Sequence, residues 1–311
     1  MATGLTLKEL SKKEDLFTHG HRMCAGCGAP TIVKMALMAT EYPVIAANAT
    51  GCLEVSSCIS EYTAWKIPWI HTAFENAAAT LSGVETMYRS LKKQGKIDKE
   101  VKFIAFGGDG GTYDIGFQSL SGAMERGHDM IYICYDNGAY MNTGIQRSSA
   151  TPLGADTTTC PAGSCVPGKL RPRKNLTKIM AEHNIPFAAQ ASPSHWMDLM
   201  KKVKKAHEMP GAKFINIISP CNRGWRSKTN DAITLARTAV NTCYWPLYEI
   251  ENGVTKITFT PKEKLPVVDF LKPQGRFKHL FEQGNEWLLK AMQEEVDREW
   301  AKLQAAEKCG C

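Results

Sequence analysis

Two stretches of the chain gather chemistry-bearing residues at short spacing. "FGGDGGTYDIG" at 106–116 sets Asp109 among glycines behind an apolar run. "YDNGAYMNTG" at 135–144 sets Asn137 at the end of the next apolar run, 28 positions on. Glycines after a strand let the backbone approach a phosphate, and the amides opening the following helix favour negative charge. If the two runs are neighbours in a parallel sheet, right-handed connection brings Asp109 and Asn137 out at one carboxyl edge. A hard oxygen from each, with a backbone carbonyl and diphosphate oxygens, completes an octahedral Mg2+ site. The glycines do not spell G-x-G-x-x-G, and no acidic residue ends a strand about 20 positions later, so this is not a Rossmann fingerprint.

A third stretch, "GHRMCAGCGAP" at 20–30, puts Cys24 and Cys27 in a glycine-flanked turn. That spacing serves a redox disulfide, half of a zinc site or half of an iron–sulfur site. The N-terminus, "MATGLTLKELSKKEDLF", is charged and does not read as a secretory signal. No apolar run reaches the roughly 18 residues of a membrane span. The expected location is therefore the cytoplasm, where disulfides are rare, so eleven cysteines point to metal or cluster binding. Four thiolates bind either zinc or a [4Fe–4S] cluster, and ligand spacing alone does not separate the two.

The elements that must position these residues read as an alternation of strands and helices. Strands are expected at 42–48, 101–108, 129–135, 186–191 and 212–220, and helices at 113–127 and 192–209, the latter opened by capping serines. This is an α/β chain with a mostly parallel sheet and helices on both faces. The Pro-, Gly-, Ser- and Thr-rich stretch at 145–175 reads as a long functional or mobile loop. The tail from about 277 reads as a long amphipathic helix, giving an expected division into a cofactor-binding domain, 1–250, and a C-terminal extension, 251–311. With 311 residues, 43% hydrophobic, the chain has ample core. Its net charge of +7 is spread along the chain, which argues against a nucleic-acid surface; solvated lysine-rich helix faces are the simplest reading, with an acidic protein partner as the alternative.

Gly-Asp-Gly followed by Asn at this spacing is the pattern with which thiamine diphosphate enzymes hold Mg2+ and the diphosphate. In family order, "CAGCG", "ATGCLE", "HTAFENAAA", "GGDGGTYDIG", "YDNGAYMNTGIQRSSATP" and "SPCNRGW" resemble the beta subunit of the pyruvate:ferredoxin oxidoreductase family over about residues 15–250. The resemblance implies the diphosphate-binding half of a thiamine diphosphate site beside one [4Fe–4S] cluster. It assigns the cluster to Cys24, Cys27, Cys52 and Cys221. Asp109 and Asn137 become side-chain ligands of Mg2+ and Ala139 offers its carbonyl, while Gly108, Gly110 and Gly111 line the diphosphate. Asn142 would lie near the reacting carbon. Glu54, His71, Glu75 and Asn76 would border the cofactor and the cluster.

The activity implied is oxidative decarboxylation of a 2-oxoacid, pyruvate above all, with electrons passed through the cluster to ferredoxin and the acyl group to coenzyme A. Oxalate, cleaved without coenzyme A, or another 2-oxoacid is the alternative substrate. The family's aminopyrimidine glutamate cannot be assigned here, so an alpha subunit is expected to supply it together with most substrate contacts. Further clusters would come from a ferredoxin-like subunit or domain, since no C-x2-C-x2-C-x3-C run is present. A thiamine diphosphate decarboxylase without a cluster and a zinc-stabilised, non-catalytic assembly subunit are the competing classes. Of the remaining cysteines, Cys58, Cys134 and Cys243 read as core. Cys160 and Cys165 are a candidate disulfide in the loop, and Cys309 and Cys311 lie in the tail.

Overall fold

Near-continuous runs of β-branched, aromatic and small apolar residues form strands covered on both faces, as a parallel sheet requires. The computed structural model describes residues 6–163 and 165–310, with eight strands joined in one sheet. They are β1 (Val44–Ala49), β2 (Trp69–Thr72), β3 (Lys102–Gly108), β4 (Met130–Asp136), β5 (Phe187–Ala191), β6 (Ala212–Ile218), β7 (Leu247–Glu251) and β8 (Val254–Phe259). Their order is β2-β1-β3-β4-β6-β5-β7-β8, parallel from β2 to β5, with β7 and β8 antiparallel at one edge. Every residue of β4, β5 and β6 is buried. Each large apolar side chain there contributes roughly 1.5–3 kcal/mol of transfer free energy.

Helices cover both faces. Gly28–Met38 and Trp196–Glu208 pack together on one side, and Ala77–Lys93 and Phe117–Glu125 pack together on the other. Ser192, as expected, caps its segment by accepting from the Ser194 amide, though a 3-10 turn over Pro193–His195 precedes the α-helix. The helix expected from 113 begins instead as a π turn over Gly110–Ile115 and becomes α-helical at Phe117. The Gly116 amide donates to the Gly111 carbonyl, five residues back, at 2.8 Å. A π turn widens the backbone at the start of a helix and recurs at functional sites.

The division expected at residue 250 falls inside the β7–β8 hairpin. The segment beyond it completes a shared core in which Trp225 and Trp245 meet Phe270, Leu288 and Trp300. The "EQGN" turn delays the tail helix to Glu286–Cys309. Glu307 on that helix accepts the exposed Ile257 amide at 2.7 Å, which blunts the β8 edge against pairing with another strand. No helix among the described residues is long and apolar enough to cross a membrane.

Candidate functional site

The carboxyl ends of four adjacent strands carry the chemistry. β1 runs into Cys52, β3 into Asp109, β4 into Asn137 and β6 into Cys221, so the side-by-side placement of Asp109 and Asn137 is observed. A cleft at this edge is lined by Gly108, Asp109, Gly110, Gly111, Asn137, Ala139 and Asn142 together with Cys52, Phe74 and Tyr140. A side chain at position 110 would run into the Tyr140 ring, so the turn approaches that ring closely because Gly110 has no Cβ. Asn142 is exposed at the cleft.

Three oxygens converge inside it. The side-chain oxygen of Asn137 stands 2.8 Å from Asp109 Oδ1 and 2.9 Å from the Ala139 carbonyl, with no donor between them. Neighbouring oxygens around a Mg2+ held at 2.0–2.1 Å are separated by about 2.9 Å, the edge of its octahedron. Turning the amide over would also satisfy both acceptors, so the geometry fits a bound cation or a rotated Asn137. The carboxylate itself argues for the cation. Asp109 is 1% exposed, and burial with the nearby Asp136 pushes its carboxyl up to about 8. A positive charge at the triad would return it to the ionised form.

The loop at 145–175 packs against this edge. Ser148 Oγ donates to Asp109 Oδ2 at 2.5 Å, and the Asn137 amide donates to Asp109 Oδ1 at 3.2 Å. Behind Asn137, buried Asp136 accepts from Tyr113 at 2.6 Å and from Arg173 at 2.5 Å. Trp225 Nε1 donates to the Asn137 carbonyl at 2.7 Å. None of Ser148, Arg173 or Trp225 was singled out as a site residue in the sequence. Ser148 and Trp225 lie inside the quoted segments "SSATP" and "CNRGW", while Arg173 carries no local signal. Ser148→Ala is expected to weaken retention of the metal–diphosphate about tenfold, the lower end for an outer-sphere partner, with the fold intact. Equilibrium dialysis with labelled cofactor measures it, and unchanged affinity would remove Ser148 from the site.

The cysteine side of the edge is built from three turns. Cys27 precedes helix Gly28–Met38, Cys52 opens the short helix Cys52–Val55, and Cys221 caps Asn222–Trp225 with its sulfur accepting the Gly224 amide at 3.4 Å. The Gly28 amide donates to the Pro220 carbonyl at 2.9 Å, and a Cβ at position 28 would stand 2.7 Å from Pro220 Cδ. That close approach locks the CxxC turn onto the turn that carries Cys221. Burial pushes the Cys27 and Cys52 thiols up to about 12, and the neighbouring Cys221 and Cys24 add to the rise at both. Thiols this reluctant to ionise become thiolates when a metal centre binds them. Among the described residues no three His, Cys, Asp or Glu side chains close on a point that would chelate one ion.

Glu54 and Asn76 do not line the cleft. The Glu54 carboxylate is buried 3.5 Å from His71 Nδ1, and Asn76 is exposed at the start of helix Ala77–Lys93. Cys134 and Cys243 are buried as expected, but Cys58 is half-buried beside the Val55 carbonyl. Cys165 and Cys309 are exposed, and Cys311 lies outside the described residues.

Comparison with known proteins adds to this geometry. Residues 39–217 match the family described as thiamine pyrophosphate enzyme, C-terminal TPP binding domain. Pyruvate synthase subunit PorB of Thermotoga maritima is 51% identical over 97% of this chain and 95% of its own length. The PorB subunit of Methanocaldococcus jannaschii is 53% identical over 91% and 95%. Ketoisovalerate oxidoreductase subunit VorB of Pyrococcus abyssi is 43% identical over 92% of each chain. In fold, the chain is similar to a 2-oxoglutarate:ferredoxin oxidoreductase from Magnetococcus marinus, with a TM-score of 0.56 at 22% identity over 72% of this chain and 79% of the other.

Proposed function

The chain belongs to the beta-subunit family of the pyruvate:ferredoxin (2-oxoacid:ferredoxin) oxidoreductases, and from that membership we propose that it oxidatively decarboxylates pyruvate with an alpha partner. The PorB relatives support pyruvate, because they are more similar to this chain than the VorB relative is. The observation that carries the mechanism is the shared carboxyl edge, where the oxygen triad lies between strand ends that carry Cys52 and Cys221.

In this reading Asp109, Asn137 and the Ala139 carbonyl hold Mg2+, and the turn at Gly108, Gly110 and Gly111 admits the diphosphate against bare backbone. Bound thiamine diphosphate supplies the electron sink into which a 2-oxoacid loses carbon dioxide. Asn142, exposed at the cleft, faces the substrate side and orients it by hydrogen bonding. No glutamate lines the cleft among the described residues, which fits a partner subunit that brings the aminopyrimidine glutamate. Cys24, Cys27, Cys52 and Cys221 hold a [4Fe–4S] cluster. Four thiolates are the usual ligand set of that cluster, and the chain lacks the second CxxC of a zinc ribbon, which favours the cluster over zinc. Cys52 borders the cleft itself, so a cluster held there would stand beside the bound cofactor. A cluster so held would supply the path for electrons toward a ferredoxin-like cluster subunit and ferredoxin, with coenzyme A as the acceptor of the acyl group.

The test is anaerobic purification of the chain with its co-purifying partners, followed by reduction of a viologen dye. Pyruvate with coenzyme A is expected to reduce the dye, and pyruvate alone is not. Faster reduction with 2-oxoisovalerate would move the enzyme to the VorB-like activity. Reduction by oxalate that ignores coenzyme A would replace the substrate and keep the cofactors.

A further inference from the structure

Arg276 is a buried cation without an anion. It is 3% exposed, and no carboxylate among the described residues forms an ion pair with it. Its Nε donates to Gln274 Oε1 at 2.9 Å and its Nη1 to the Asn137 carbonyl at 3.4 Å. The guanidinium stacks 4.6 Å above Trp225 and 5.0 Å from Phe277. Asp136, which lines the same small cavity, is already paired with Arg173. An isolated charge taken out of water is costly unless something negative faces it.

The surroundings indicate where the missing charge belongs. Trp225, under the guanidinium, is the last residue of the four-residue helix that Cys221 caps, and its indole shares the Asn137 carbonyl with Arg276. Arg276 does not line the cofactor cleft; it lies behind Asn137 and Gly138, beside Trp225. Four thiolates leave an oxidised [4Fe–4S] cluster anionic, and one-electron reduction adds a further negative charge.

We propose that Arg276 is the internal counter-cation of the cluster bound through Cys221, holding its reduction potential up. The same bond to the Asn137 carbonyl fixes the loop that carries a metal ligand, so Arg276 acts as a positioning residue for both centres. The inference rests on the cluster reading above. At an effective dielectric of about 20, a unit charge within roughly 12 Å shifts an equilibrium by tenfold or more.

The test is an EPR-monitored redox titration of the cluster-loaded full chain, after iron and sulfide have been counted. Arg276→Gln is expected to disfavour the reduced cluster about tenfold, equal to about 59 mV for a one-electron couple. Arg276→Lys keeps the charge and is expected to stay within about twofold of the parent. Gln274→Glu leaves Arg276 in place but gives it a carboxylate where an amide oxygen now stands. It is expected to shift the potential in the same direction as Arg276→Gln, and it decides the matter if Arg276→Gln does not fold. A merely structural role would leave the potential of a fully loaded cluster unmoved, and that result overturns the proposal. Weakened thiamine diphosphate binding with an unmoved potential also overturns it, by making the diphosphate the counter-charge. A parent chain that holds zinc or no metal overturns the cluster reading itself, which the metal count detects before any titration.

Discussion

Asp109→Ala is expected to abolish retention of Mg2+ and thiamine diphosphate, weakening it by more than about a hundredfold, and to leave the brown colour of the cluster in place. Loss of an outer-sphere partner costs ten- to a hundredfold in metal affinity, and a side-chain ligand supplies more than that. The substitution removes one corner of the oxygen triad and the charge that makes the triad attractive to a cation. Cofactor content after gel filtration and the visible spectrum measure the two halves separately. Cofactor retention in the variant would remove Asp109 from the metal site, and loss of both signals together would mean that the substitution had unfolded the edge. A pH dependence accompanies it. Without cation, folded Asp109 holds its proton up to about pH 8, whereas the unfolded carboxyl releases it near 3.8. Between those values the folded state binds more protons, so the metal-free chain loses stability as pH rises. Asp109→Asn is expected to flatten that slope in thermal melts at pH 5 and pH 8, and Mg2+ with thiamine diphosphate is expected to remove it from the parent.

Cys221→Ser is expected to eliminate the cluster and, with it, viologen reduction by substrate, by at least about two orders of magnitude. Serine is a good helix N-cap, so Asn222–Trp225 keeps its start and Trp225 keeps its bond to the Asn137 carbonyl. Cofactor binding is therefore expected to remain within about threefold of the parent. Iron content and the broad absorption near 400 nm are the direct measures. A variant that still carries four irons per chain would take Cys221 out of the ligand set.

The pair Asp109 and Asn137 was legible because the signal is local. Two buried runs of ordinary strand length, one helix between them, and turn residues at each end leave little choice about which edge they share. The antiparallel hairpin at the far edge has an equally local signal, although no strand is expected there in the alternation of strands and helices. "ENGV" places Asn252 and Gly253 at positive φ, 49° and 83°, the conformation that a two-residue hairpin favours. β2 offered much less, being four residues long and only partly buried. The π turn depends on a close backbone approach at Gly110 and Gly116 that no periodicity reports. Arg276 lies 139 positions from Asn137, whose carbonyl it reaches, so its role is a product of tertiary packing alone. Cys221 stood out in the sequence through the resemblance, since one cysteine 194 residues beyond Cys27 has no pattern of its own.

The lock between Gly28 and Pro220 has a consequence for how the protein is made. Cys24 leaves the ribosome 197 residues before Cys221 (221 minus 24), and Arg276 follows later still. At about 5–20 residues per second, the first thiols wait roughly 10–40 s for the last to emerge. During that interval no complete four-thiol nest exists, because the Pro220 turn that seats the CxxC loop has not yet been synthesised. A cluster held by these four thiols would therefore have to wait for Cys221 to emerge, and the early thiols depend on reducing surroundings until the strand that ends at Ile218 has joined the sheet.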